Sequence, residues 1–398
     1  MSSIRYLEGP PASAEVVIIG GGVIGAATAF YAARAGLNPV LIERRPALCT
    51  LTTPASTGAF RLQFDNLEEL EVVRESVELF LNFEDATRQS IYDPKVRRQG
   101  YLWVTLDEER VSRQRNLVEQ QHAWGLTDVE LLDANELRSR FPYVARDALQ
   151  ARWRAEDGFL DPKALSMGMV AGARADVVVG CGAVGFDVDG SGLSAVRTER
   201  GAISTRTAVI ACGPFSRMLA QTAGLDLPLT MVARQKIVFP RLADVPAGAP
   251  MIIDDDTGAH WRPYLEGAAL LFTDPETAGG PPLEHVPVDD RNVFRLLSPD
   301  SDVSVARVAP FWRRVWERNA DIWMVQTGQY TMTPDKRPLV GSTEVPGLFV
   351  NTGDSGHGVM SGPALGRRLA DLISGGEAAA ENPFRIDRAF VRRDVDVL

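Results

Sequence analysis

At 398 residues the chain exceeds what one small core organises, so two domains, or one large domain with an insertion, are expected. Its 45% hydrophobic and 24% charged residues have the balance of a soluble globular protein, not of a disordered or fibrous one. The net charge of −10, with positive charge carried almost wholly by arginine and no basic stripe, argues against nucleic acid as the main partner.

Cys49, Cys181 and Cys212 are odd in number, far apart and outside any C-x-x-C, which excludes a disulfide scaffold and predicts a cytoplasmic setting. None of His122, His260, His285 and His357 stands at ligand spacing from another histidine or cysteine, so no metal is expected. The polar opening MSSIRYLEGPPASAE has no basic segment running into an apolar core, so no signal peptide is expected. Residues 16–33 are long enough to imitate a membrane helix. Three successive glycines near their start and Arg34 just beyond argue against a span, and no other stretch approaches one.

The first unit reads as strand, glycine turn, helix and strand, over residues 15–19, 23–35 and 39–43: a βαβ unit with a parallel sheet. Gly20-Gly21-Gly22-Val23-Ile24-Gly25 lies between strand and helix, the context in which G-x-G-x-x-G cradles a pyrophosphate. Gly20 permits the tight turn, Gly22 lets backbone approach the phosphates, and Gly25 lets helix and strand pack closely. The helix N-terminus adds free N–H groups and partial positive charge. Glu43, beside Arg44, closes the second strand where a carboxylate accepts from ribose hydroxyls and disfavours a 2′-phosphate. A purely structural turn would carry the same glycines, and the motif alone does not separate FAD from NAD.

Residues 66–88 carry apolar side chains at three- and four-residue spacing, predicting an amphipathic helix. Residues 98–110 read as a strand entering a helix, and Asp133 with Glu136 forms a capping-box pattern. Residues 157–216 read as a helix, a strand, a hairpin turning at Asp189-Gly190, and a buried strand 208–212 that ends in Gly213-Pro214. From 232 to 272 short strands broken by proline and glycine predict an antiparallel sheet, and 350–373 return to strand, glycine turn and a helix placed at 363–373. The expected fold class is therefore α/β, in a two-domain α+β arrangement. A Rossmann-like dinucleotide-binding domain takes 1–90, 151–230 and 325–398; a discontinuous antiparallel-sheet substrate domain takes 91–150 and 231–324.

PLVGSTEVPGLFVNTGDSGHGVMSGPALGRRLADLI resembles the closing segment of the D-amino-acid oxidase superfamily of FAD-dependent oxidoreductases, in the branch of sarcosine oxidase, its β subunit, and glycine oxidase. ASTGAFRLQF, DGFLDPKAL, AVIACGPFS and GQYTMTPDKRPLVG match as well, in the family order across nearly the whole chain. The resemblance implies FAD, held between the two domains. It implies contacts from Gly20, Gly22, Val23, Ile24, Gly25, Glu43 and Arg44, and from Ser56, Thr57 and Arg61 in the first loop. Val184 and the turn Ala211, Cys212 and Gly213 follow. Gly353, Asp354, Gly356, His357, Gly358, Val359 and Met360 then form a turn rich in N–H groups, able to hold the N1–C2=O edge of the flavin.

Departures from the family pattern shape the rest. Gly328 stands where the monomeric sarcosine oxidases attach flavin to a cysteine, and TTPASTGAF lacks the histidine of the related dehydrogenases, so non-covalent FAD is expected. Phe64 and Met360 stand where the family clamps a substrate carboxylate with two cations, so that clamp is expected to be absent. Leu271 stands where a lysine lies over the flavin, which favours a dehydrogenase over an oxidase.

By the resemblance His260, Arg262, Tyr330 and Met360, with Met251, line the substrate pocket. His260 then orients or deprotonates an amine, and Arg262 binds a carboxylate. The plainer alternatives are a strand-edge histidine, a solvated ion pair, a core aromatic and apolar packing. Lys336 and Arg337 lie near the flavin edge or merely charge a loop. The expected reaction is oxidation of the C–N bond of a secondary amine or amino acid, larger or more apolar than sarcosine, to an imine that hydrolyses. O2 or an electron carrier is the acceptor. A 2-hydroxy-acid dehydrogenase, a non-catalytic flavoprotein subunit and, more distantly, a nicotinamide dehydrogenase are the alternatives. A homo-oligomer and a complex with a flavoprotein partner subunit both stay open.

Overall fold

The computed structural model describes residues 4–375 and 382–391. The ends of the expected dinucleotide domain at 1–3 and 392–398, and its stretch 376–381, lie outside the described residues.

The glycine-flanked strand Val16–Ile19 is buried throughout and lies between Pro39–Glu43 and Ala208–Ile210, parallel to both. Seven strands form this sheet, in the order Arg5–Tyr6, Asp176–Val179, Pro39–Glu43, Val16–Ile19, Ala208–Ile210, Leu348–Thr352, Leu339–Ser342. Both faces are covered, so its strands are continuous apolar runs. Val16, Ile18 and Leu41 pack with Val23–Arg34, Pro162–Ala173 and Gly358–Ile373. Val17, Ile19, Val40 and Ile42 pack on the other face with Phe186, Leu193, Val196 and Ile203 of a three-stranded meander. Gly25 is required by this packing: a Cβ there would lie 1.8 Å from the Gly20 carbonyl oxygen. Gly20 itself turns at φ +118°.

The helix predicted over 66–88 is divided into Leu67–Leu81 and Phe83–Thr87, because Asn82 leaves helical geometry at φ −116° and ψ 30°. The last helix begins at Gly358, earlier than predicted, and runs through Pro363. The next N–H, of Ala364, donates to the Ser76 hydroxyl at 3.1 Å, which offsets the proline's disruption of the ladder.

Nine strands form the second sheet. The predicted bounds at 151 and 325 need correction: Gln150–Arg154 pairs with Tyr101–Thr105, and Met324–Met332 pairs along its length with Thr230–Phe239, so both strands belong here. Their partners are remote in sequence, so no local pattern assigns them. One face of this sheet packs Leu102, Ile252, Trp261 and Leu270 against the helices Asp290–Leu297 and Phe311–Arg318. The other turns toward the first unit. Across it Arg152, Trp103, Ile253, His260, Leu271 and Lys236 are successive cross-strand partners, so their side chains share that face. Among the described residues no helix is long and apolar enough to cross a membrane.

Candidate active site

A cleft of about 540 Å³ separates the two sheets. Its floor is the turn 20–24; one end is Glu43, Arg44, Arg45 and 182–184, and the other is 352–356 with Gly358 and Val359. Arg234, Leu271, Gly328, Gln329, Tyr330 and Thr331 roof that second end.

At the first end the Glu43 carboxylate accepts from Gly21 N at 2.7 Å and from Arg45 N at 2.8 Å, which fixes its direction. The helix Val23–Arg34 has Gly22 as its N-cap with no side-chain cap, so backbone N–H groups open toward the cleft. Thr53 takes one of them, Val23 N, at 3.1 Å. Arg44 stacks 3.6 Å over Phe215 and pairs with Glu284. This arrangement fits a dinucleotide: a carboxylate for ribose, then an uncapped helix start for pyrophosphate.

The second end is a turn in which Gly353, Ser355 and Gly356 adopt φ of +77°, +50° and +102°. The Tyr330 ring lies on it, since a Cβ at Gly356 would be 2.5 Å from Tyr330 Cε2. Burial raises the Asp354 carboxyl to about 6, against the Ser361 hydroxyl that donates to it at 3.0 Å.

Of the expected site residues, Gly20, Gly22, Val23, Ile24, Glu43, Arg44, Ser56, Val184, Ala211, Cys212, Gly213, Tyr330, Gly353, Asp354, Gly356, Gly358 and Val359 line the cleft. Gly25, Thr57, Arg61, His260, Arg262, His357 and Met360 are not among its lining residues. His260 is buried in the roof with Nδ1 2.9 Å from the Gly258 carbonyl oxygen, and burial lowers its pKa to about 4. Arg262 donates to Thr57 O at 2.6 Å and to Pro263 O at 2.8 Å, stacked on Phe159 and Tyr264, and burial lowers its pKa to about 10. It straps roof to floor. Met360 is buried in the core of the first unit, and Met251 packs with Trp103 and Ala59. Arg337 pairs with Glu68 at 3.2 Å, outside the cleft.

His357 sits behind the turn. Its Nδ1 is 2.9 Å from Glu69 Oε1 and its Nε2 is 3.4 Å from Arg61 Nη2. A guanidinium only donates, so Nε2 is assigned as acceptor and Nδ1–H as the donor to Glu69. Burial pushes the Glu69 carboxyl up, but His357 and the Asn66 amide outweigh it and hold it below its ordinary value. Arg61 lies 4.3 Å over the Phe64 ring.

Three contributors were missed. Glu69 follows Asn66 by three residues and reads as part of a helix cap. Arg234 and Lys236 lie in a strand whose facing side is set by distant partners. Lys236 donates to Pro54 O at 3.0 Å and Ser56 O at 2.7 Å, and burial lowers its pKa to about 7. It is the cross-strand partner of Leu271, so a cation stands one strand away from the position where it was expected to be missing.

A glycine-cradle parallel sheet facing an antiparallel roof across such a cleft defines a two-domain dinucleotide-binding protein. Residues 15–372 match the family model described as FAD dependent oxidoreductase (DAO), and the chain belongs to that family, whose cofactor is FAD. It is 27% identical over 379 residues to mitochondrial sarcosine dehydrogenase of Mus musculus, covering 91% of this chain and 40% of that one. The chain thus spans well under half the length of that curated relative. Among solved structures it is similar to L-proline dehydrogenase from P. horikoshii, with a TM-score of 0.81 at 23% identity over 93% of this chain and 96% of that one. Glycine oxidase from Bacillus cereus ATCC 14579 gives a TM-score of 0.80 at 21% identity over 96% and 100%. Both structures attest the fold.

Proposed function

We propose that the chain catalyses FAD-dependent oxidation of the C–N bond of a secondary amine or amino acid, giving an imine that water hydrolyses. The observation that carries this is the cleft whose lining joins Tyr330, packed on the turn at Gly356, with Leu271 and Arg234 of the roof. FAD, when bound, supplies the acceptor for hydride from the substrate carbon. Glu43 and the uncapped start of Val23–Arg34 would hold its adenosine and pyrophosphate, and the N–H groups of the last turn its ring edge. The chain's remaining work is positioning and exclusion of water by the roof. Hydride leaves only from the neutral amine, so the ammonium proton passes to solvent before transfer and no acid–base dyad is invoked for it. The sarcosine dehydrogenase named above supports an amine substrate.

A 2-hydroxy-acid substrate calls for a base at the same place. His260, outside the cleft lining and made a weaker base by burial, which lowers its pKa to about 4, does not support that reading. Non-covalent attachment is inferred from Gly328, which lies against Thr52 and Ala55 with no nucleophilic sulfur or imidazole in its place. The test is an absorbance spectrum before and after acid precipitation, followed by anaerobic mixing with amines and hydroxy acids. Flavin released to the supernatant and bleached by an amine is expected. Flavin retained in the pellet overturns the non-covalent inference, and bleaching by hydroxy acids alone overturns the reaction.

A further inference from the structure

Arg234 lies in the roof strand Thr230–Phe239, directly across the ladder from Gly328. Both residues line the cleft, and Thr52 and Ala55 pack where a side chain at Gly328 would lie. The Tyr330 ring stands 5.5 Å from Arg234 Cζ and supports it from one side. Its hydrogen bond is a local one, Nη1 to the Ala233 carbonyl at 3.1 Å, while Nε is buried with no partner. Asp274, the carboxylate that acts on it electrostatically, is bound to Arg295 at 2.9 Å. A half-buried guanidinium without its own counter-ion is costly unless a ligand brings one.

The neighbouring cations are committed elsewhere. Arg262 is spent on Thr57 O and Pro263 O, Lys236 on Pro54 O and Ser56 O, and Arg61 approaches His357 and Gln63 O. Arg44 and Arg45 line the opposite end of the cleft, where both pair with Glu284. The positions expected to carry a clamp hold Phe64, under Arg61, and Met360, in the core.

We propose that Arg234 binds the carboxylate of the substrate, so that the site takes an amino acid in preference to a plain amine. This rests on the amine-oxidation reading above. A planar fork of N–H donors matches a carboxylate in two-point geometry, and the partial exclusion of water strengthens the contact. The roof strand thus supplies from above what the first loop and the last turn lack.

The test uses the FAD-loaded protein and benzoate, a carboxylate it cannot oxidise, with benzyl alcohol as the neutral control. Binding is read as perturbation of the flavin spectrum in wild type, R234M and R234K. R234M is expected to weaken benzoate roughly tenfold to a hundredfold, the range for losing a charge-assisted hydrogen bond, with R234K recovering part of it. Benzyl alcohol should not distinguish the variants. With substrates, R234M should raise KM for amino acids more than for plain amines. Should R234M fail to retain FAD, R234Q is compared with R234K in its place. An unchanged benzoate Kd in a yellow variant overturns the proposal. So does a changed flavin midpoint potential with carboxylate binding intact, which would assign Arg234 to the ring. If benzoate binding depends on Arg234 but no amine reduces the flavin, the carboxylate site stands and the amine-oxidation reading falls.

Discussion

Gly22 has an extended backbone, so its requirement is space and not conformation. A Cβ there would come within 3.2 Å of Thr53 Oγ1, the group that already accepts from Val23 N. Valine would add two branches where the pyrophosphate passes. G22V is expected to fold but purify colourless, checked by the ratio of flavin to protein absorbance; a fully yellow variant sinks the cradle role. Asp354 permits a second test at this scale. Its raised folded pKa means that it contributes most below its unfolded value of 3.8, and that this contribution is lost as pH rises through about 6. His260 and Glu69, both with lowered pKa, act in the opposite sense, so only a comparison isolates Asp354. D354N should therefore gain stability over wild type between those pH values, by an amount of order 2–3 kcal/mol, in urea denaturation of the FAD-free protein. A constant difference across the range would refute it. The glycines were legible because a phosphate cradle is a local device of backbone and helix terminus. Glu69 was not, because its chemistry depends on His357, far along the chain, while its own neighbours spell an ordinary cap.

Elements whose cause is local were read closely. The strand Pro39–Glu43 matches its expected span, and Asp133 accepts from Asn135 N and Glu136 N in the predicted capping box. The hairpin at Asp189-Gly190 joins Ala183–Asp189 to Gly192–Thr198. The last helix was misplaced because proline reads as a start, whereas here a distant hydroxyl absorbs the disruption. That account is testable. Ser76 and Ala364 are both buried, so S76A leaves the Ala364 N–H without its acceptor. A loss of about 1–3 kcal/mol is expected, seen as a lower urea midpoint. An unchanged midpoint would mean that the helix closes over Pro363 without help.

At the scale of the molecule, the cleft exists because two sheets are held at a fixed separation by side chains that cross between them. Lys236 reaches Pro54 O and Ser56 O, and Arg262 reaches Thr57 O, so one short segment of the first unit is gripped by two cations from the roof. Neither is paired there with an acid; each is held by carbonyl dipoles, and for each burial lowers the pKa. Such contacts position more than they stabilise, since the desolvation cost offsets much of the hydrogen-bond gain. From sequence, Arg262 suggested a substrate carboxylate site, in which case R262A would raise KM for anionic substrates selectively. The strap geometry requires a different result. R262A should raise KM for anionic and neutral substrates together and weaken FAD retention, because the loop bearing Ser56 borders the cleft. The two straps share one segment, so R262A and K236M should be non-additive in FAD affinity, with a coupling of roughly 0.5–3 kcal/mol in a double-mutant cycle. Strict additivity would mean that they act independently. A selective loss of anionic substrate in R262A would return the carboxylate to Arg262 and take it away from Arg234.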